Sequence, residues 1–236
     1  MQTKRLLPSL IVTLMMVAFV NSAFALEFVG KAYHHNNNKL LYEERHELQL
    51  DEQGRYQTGT VTYTLANGEP LAIKNLSYGE TTTAPSFEFD DKRLDERHSV
   101  DVGSKQLVIK KDGEQEKVDL PSKLTPVVDA GFNVFMQQHL DDLLKGKSKT
   151  FEFLAIGRAS FYEFEVSVVE KTQSEAVIEL RPAGWFLSKL VDSIMLTYDV
   201  NNKRLLRYEG LGNIEKVENG RAQDENYIVR IEYEYQ

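Results

Sequence analysis

Tyr227-Ile228-Val229-Arg230-Ile231-Glu232-Tyr233-Glu234-Tyr235, near the C-terminus, alternates apolar and charged side chains with a period of two. Successive side chains of a strand point to opposite faces, so this pattern predicts a β-strand with one buried face and one wet face. Only Ile228 breaks the rule. The same period recurs in Tyr162, Phe164, Val166 and Val168, in Ala176, Ile178 and Leu180, and in Ile194, Leu196, Tyr198 and Val200. In the first half Val61, Tyr63 and Leu65 alternate with threonines. Further strands are expected over Glu27–Tyr33, Leu41–Leu50, Ser86–Phe89, Leu107–Lys111 and Phe151–Ile156.

Turn chemistry falls between these runs. Asp51–Gly54, Asn67-Gly68, Asp112-Gly113, Asn201-Asn202 and Asn219-Gly220 tolerate the positive φ of tight hairpins. Connections this short imply antiparallel neighbours. One segment departs from period two. Between Pro126 and Leu144, Val128, Phe132, Phe135, Met136, Leu140, Leu143 and Leu144 recur at helical spacing. Thr125 is the expected cap and Gly146 the expected stop. A shorter helix is expected over Trp185–Ser193. Together these features give a mainly β (α+β) fold: a curved antiparallel sheet or half-barrel with one main helix packed on one face.

The first 25 residues read differently. Lys4 and Arg5 precede an apolar run from Leu6 to Val20, and Ala23-Phe24-Ala25 has the small-x-small pattern of a signal-peptidase site. Residues 1–25 are therefore expected to be a cleaved secretory signal, and residues 26–236 a single β-rich domain. The apolar run falls short of the ~20 residues that cross a bilayer comfortably, so no integral membrane span is expected after cleavage. The chain has no cysteine, which excludes disulfides and lipidation at a signal-peptide cysteine. This combination fits a soluble protein of the Gram-negative periplasm. The signal holds two of the 28 basic side chains and none of the 36 acidic ones, so the mature balance is 26 against 36, or −10. Such a charge opposes phosphate backbones, and nucleic acid is not an expected partner. An outer-membrane barrel fits poorly: it seldom carries an interior amphipathic helix, strands as charged as Tyr42–Glu47, or a final Gln236.

Candidate chemistry is sparse. His34-His35 lead into the polar turn Asn36–Asn38, and adjacent histidines on a strand diverge. Glu44 and His46 share a strand face but are too few for a specific metal site. His98 lies in the charged stretch Asp90–Asp101, expected to be a solvated loop or edge strand. His139, one turn from Phe135 and Leu143, reads as a packing residue. No nucleophile elbow, zincin motif or phosphate loop occurs. No catalytic residue, metal or cofactor is expected. The aromatic content points elsewhere, since the chain carries 11 Tyr and 12 Phe. A curved sheet lined by aromatics can enclose a hydrophobic ligand. The residues expected to line such a cavity are Phe132, Phe135, Trp185 and Phe186, the last two on a flap over its mouth.

Two stretches resemble an uncharacterised family of exported Gram-negative proteins. One is Asp129-Ala130-Gly131-Phe132 with Phe135, His139, Leu143–Gly146 and Phe151–Ile156. The other is Tyr198-Asp199, Arg204–Gly210, Asn213-Ile214 and Val229–Tyr233. The resemblance implies no activity. In layout alone the chain is similar to the periplasmic lipoprotein carriers and related lipid-binding half-barrels, and no ligand residue carries over. The expected function is non-catalytic binding of a lipid or other hydrophobic ligand in the cell envelope. The rival is an interaction or envelope-assembly factor with a fully packed core and an envelope protein as partner; an unrecognised hydrolase comes third.

Overall fold

The computed structural model describes residues 24–94, 96–111, 113–184, 193–218 and 221–236. Eight strands come first: β1 (Phe24–His34), β2 (Leu40–Leu50), β3 (Tyr56–Leu65), β4 (Pro70–Ser77), β5 (Ser86–Asp91), β6 (Glu96–Val102), β7 (Gln106–Lys111) and β8 (Glu114–Asp119). A two-residue strand β9 (Pro126–Val127) leads into helix α1 (Gly131–Leu143). Then follow β10 (Lys149–Ala155), β11 (Ser160–Lys171), β12 (Glu175–Pro182), β13 (Ile194–Asp199), β14 (Leu205–Glu218) and β15 (Arg221–Tyr235). The described strands form one sheet in the order β8-β7-β6-β5-β4-β3-β2-β1-β15-β14-β13-β12-β11-β10-β9. Every ladder is antiparallel except β9–β10. The sheet is curved but not closed into a barrel.

Of the expected signal, residues 1–23 lie outside the described residues. Phe24 and Ala25 are the first two residues of β1, opposite Leu50 and Gln49. The pairing of β1 with β15 starts only at Phe28, opposite Tyr235. The expected helix Trp185–Ser193 also lies outside the described residues, except for Ser193.

The alternation places the core. On β15 Val229 and Ile231 are buried, and Ile228, the exception in the pattern, is 45 % exposed. Two apolar clusters result. The first lies inside the curl of β1–β7 and includes Phe28, Tyr42, Val61, Tyr63, Leu76, Phe87, Val100 and Leu107. The second lies between α1 and β10–β13 and includes Phe135, Met136, Leu140, Phe151, Val166, Ile178 and Tyr198. The helix belongs to both, through Val134 on the first side and Phe135 on the second.

The two ends of the sheet overlap instead of pairing. Phe151 and Val166 face the helix from β10 and β11. Leu154 and Phe161, opposite one another on the same two strands, point the other way and pack against the first cluster beside Val118 and Leu120. Both faces of the β10–β11 ladder are thus covered. Each large apolar side chain so buried contributes about 1.5–3 kcal/mol.

The helix starts later than its spacing implies. Pro126 and Val127 pair with Glu152 and Phe153 as a strand. Thr125 spends its carbonyl on the Glu152 N–H at 3.1 Å and caps nothing. Val128 then donates to the Thr83 carbonyl, and Asp129 turns the chain at φ 44°. The stretch Asp90–Asp101 also differs from expectation. Its residues lie mostly in β5 and β6, with neighbours on both sides, so it is not an edge. Asp91 is buried with Arg93 as its partner, which donates to its carboxylate three times, twice from the guanidinium and once from the backbone N–H.

Gly131 marks a close approach of the helix start to the loop between β4 and β5. A Cβ there would lie 2.0 Å from the Thr83 carbonyl oxygen, a backbone atom with no room to move. Gly131→Ala is therefore expected to destabilise the protein by about 3 kcal/mol. Gly157→Ala, with open space around the site, is expected to change little. Urea unfolding of both variants checks the contrast.

Candidate functional site

Two places concentrate polar or open surface: a network inside the curl of the first half, and the seam where the ends of the sheet overlap.

The network begins at Glu44 on β2, which is 3 % exposed. The Tyr233 hydroxyl donates to its Oε1 at 2.8 Å. Gly30 on β1 makes the room, since a Cβ there would lie 2.8 Å from both Glu44 Cγ and Tyr233 Cε1. His46 shares the face of Glu44, as the spacing implies. Its Nε2 is 3.2 Å from Glu44 Oε1 but at an angle that makes no hydrogen bond. The His46 ring instead stacks on Phe28 at 4.2 Å. Burial first and the Glu44 charge second hold the Tyr42, Tyr63 and Tyr233 hydroxyls well above the usual tyrosine range, so these phenols stay protonated.

The β14–β15 hairpin lies across this network. β14 pairs with β13 only up to Glu209, and β15 with β1 only from Val229. The hairpin between them outruns both neighbours and bends through two irregularities of register. Ile214 is fully buried. Asn213 donates to the Tyr63 hydroxyl at 3.1 Å, and Arg93 donates to the Glu215 carbonyl at 3.0 Å. Glu44 is thus covered by the hairpin as well as by its own sheet. Among the described residues no group of three His, Asp or Glu is arranged to hold a metal ion.

A second buried charge ties helix to sheet. Lys74 on β4 is 4 % exposed and donates to both Asp129 oxygens, at 2.8 and 2.6 Å. Its ammonium also lies 5.4 Å and 5.6 Å from the ring centroids of Phe87 and Phe89. A cation over aromatic faces is stabilised electrostatically. Sequence reasoning missed this pair, although a signal existed: Ala72, Lys74 and Leu76 alternate on one face, which sets a lysine at a core position.

The expected cavity residues divide. Phe132 and Phe135 come together around Phe151, with centroids 5.6 and 4.6 Å from it. Phe135 is 1 % exposed and part of the second cluster. Trp185 and Phe186 lie outside the described residues. His139 sits 4.5 Å from Phe135, ring to ring. Burial first and Lys149 second push its imidazole below the ordinary histidine range.

The seam is open. Val118, Leu120, Pro121, Ser122 and Lys123, from the end of β8 and the chain after it, face Glu152, Ala159, Ser160 and Phe161 across a cleft of ≈ 490 Å³. Asp119, Lys123 and Glu152 supply charge at its rim. A smaller hollow of ≈ 270 Å³ lies on the outer face of β2–β4 among Glu47, Gln49, Thr58, Thr60 and Asn75.

Removing one partner of a buried pair strands the other. Lys74→Ala is expected to cost about 3–5 kcal/mol, with much of the loss recovered in Lys74→Met/Asp129→Asn; chemical denaturation of the single and double variants measures both. The lowered His139 pKa makes the unfolded chain the stronger proton acceptor, so its contribution to stability is present above about pH 6.5 and is lost as pH falls below that value. His139→Gln is expected to flatten that part of a stability-against-pH profile, read by thermal unfolding.

No family model matches the chain, and no curated protein matches it. Among solved structures the chain is similar to a β-barrel-like protein of the domain of unknown function DUF1849 from Brucella abortus, at 8 % identity and a TM-score of 0.48, covering 90 % of this chain and 96 % of that one. It is also similar to a porin-like protein from Bacteroides uniformis, at 8 % identity and a TM-score of 0.31, covering 89 % and 96 %. Among the described residues no helix is long and apolar enough to cross a membrane, which says nothing of crossing by strands.

Proposed function

We propose that the protein is exported to the periplasm, loses its first 25 residues and works there as a non-catalytic binding protein. It takes an apolar segment or acyl chain into the seam between the overlapping sheet ends. The single observation that carries this reading is the cleft of ≈ 490 Å³ with apolar Val118, Leu120, Pro121, Ala159 and Phe161 in its walls. Pockets for hydrophobic ligands combine such walls with a few polar groups that fix orientation, and here Ser160, Asp119 and Lys123 supply those. The interior is the weaker host. Phe132 and Phe135 already pack on Phe151, so a ligand there would have to part three rings. The envelope-assembly reading joins this one where the apolar segment belongs to another envelope protein.

The test uses the full chain in cells. A photoreactive benzoylphenylalanine in place of Ser160 is expected to give a light-dependent adduct, identified by mass spectrometry of periplasmic protein. The same probe at Thr62, on the outer sheet face between Arg45 and Ile73, is expected to give none. With the probe moved to Ser122, Ser160→Trp fills the cleft and lowers adduct yield about tenfold, the equivalent of one lost apolar side chain. Equal yields at Ser160 and Thr62, or adducts only from a probe at Phe132, would overturn the seam as the binding place.

A further inference from the structure

We infer that the occupant of the seam is an extended polypeptide strand that pairs with the free edge of β8. This rests on the seam reading above. β8 ends the sheet, paired with β7 on one side and with no described strand on the other. Each unpaired edge residue presents a backbone donor or acceptor that a further strand can satisfy. The opposite end of the sheet is blunted. β9 is two residues long, starts with a proline and covers Glu152 and Phe153 of β10. β8 has no proline, glycine or bulge, and its register with β7 runs unbroken from Glu114 to Asp119.

The side chains of β8 say what the incoming strand carries. Glu114, Glu116 and Val118 lie on one face; Gln115, Lys117 and Asp119 lie on the other. Three carboxylates against one ammonium make the edge acidic. Directly opposed like charges in a ladder are destabilising, and opposite charges stabilise, so the fitting partner places Lys or Arg against Glu114 and Glu116. Val118 is the half-buried position, next to Leu120 and the Phe161 wall of the cleft. The residue that meets Val118 is apolar and drops into the cleft. The partner is thus a segment of another protein in which apolar and basic residues share a strand. A second copy of β8 would oppose acid to acid.

The probes are an alternating ten-residue peptide with threonines on one face and, on the other, a valine followed by two lysines set to meet Val118, Glu116 and Glu114 in turn, the same peptide with two central prolines, and palmitate. Hydrogen exchange of the full chain is followed with each, alongside competition against the light-dependent adduct at the Ser160 position. The alternating peptide is expected to suppress the adduct and to slow exchange of β8 amides at least tenfold. The proline peptide is expected to do neither. Glu114→Lys/Glu116→Lys is expected to weaken the alternating peptide by roughly fivefold or more, as for a charge pair at a partly screened edge. Suppression of the adduct by palmitate and not by the peptide, or by the peptide with β8 exchange unchanged, overturns strand pairing and leaves the seam reading standing. No adduct at Ser160 in cells and no suppression by any probe removes both.

Discussion

The pairing of β1 with β15 is the constraint on which the rest of the molecule depends. Phe28–His34 run antiparallel to Val229–Tyr235. Most other ladders join strands that follow one another in the chain, so they close locally and at small entropic cost. This one closes a loop nearly as long as the domain, and it merges two meanders into a single sheet. A sheet of this many strands cannot stay flat, because each strand is rotated by about 20–25° from its neighbour. It curls, and the curl gives the first half an inside.

The overlap follows from that curl. Its end strands cover one another instead of sharing a ladder, so β10 and β11 need apolar residues on both faces. They have them: Phe151 and Val166 toward the helix, Leu154 and Phe161 toward the first cluster. The Lys74–Asp129 pair then fixes how the helix enters this space. It spans 55 positions of sequence, and at such depth each charge depends on the other for compensation. The Glu44–Tyr233 contact joins β2 and β15, beside the ladder that holds the sheet together.

An overlap without pairing leaves two edges, and proteins do not leave edges undefended. The β9 edge is short and begins with proline. The β8 edge runs six residues and carries charge, which repels its own kind. Here one sheet edge and one cleft meet at Val118.

Much of this architecture was legible in the chain. Period-two alternation marked most of the strands because one face of each is buried, and the exposed Ile228 was visible as the exception in Tyr227–Tyr235. The shared face of Glu44 and His46 followed from the same period. The helix was legible in its apolar spacing but not in its start, because the pairing of Pro126-Val127 with β10 depends on a strand more than twenty residues away. The candidate site was hardly legible at all. Phe161 reads as an outward residue of an ordinary strand, and β8 as a charged surface run; neither shows that the two walls meet. Local sequence by itself determined which residues alternate, turn or coil, because those preferences act over a few neighbouring residues. Only the tertiary structure decided that the sheet rolls past closure, that Lys74 reaches Asp129 and that a cleft opens between β8 and β11, because each depends on contacts whose partners are set by the long-range closure of β1 on β15.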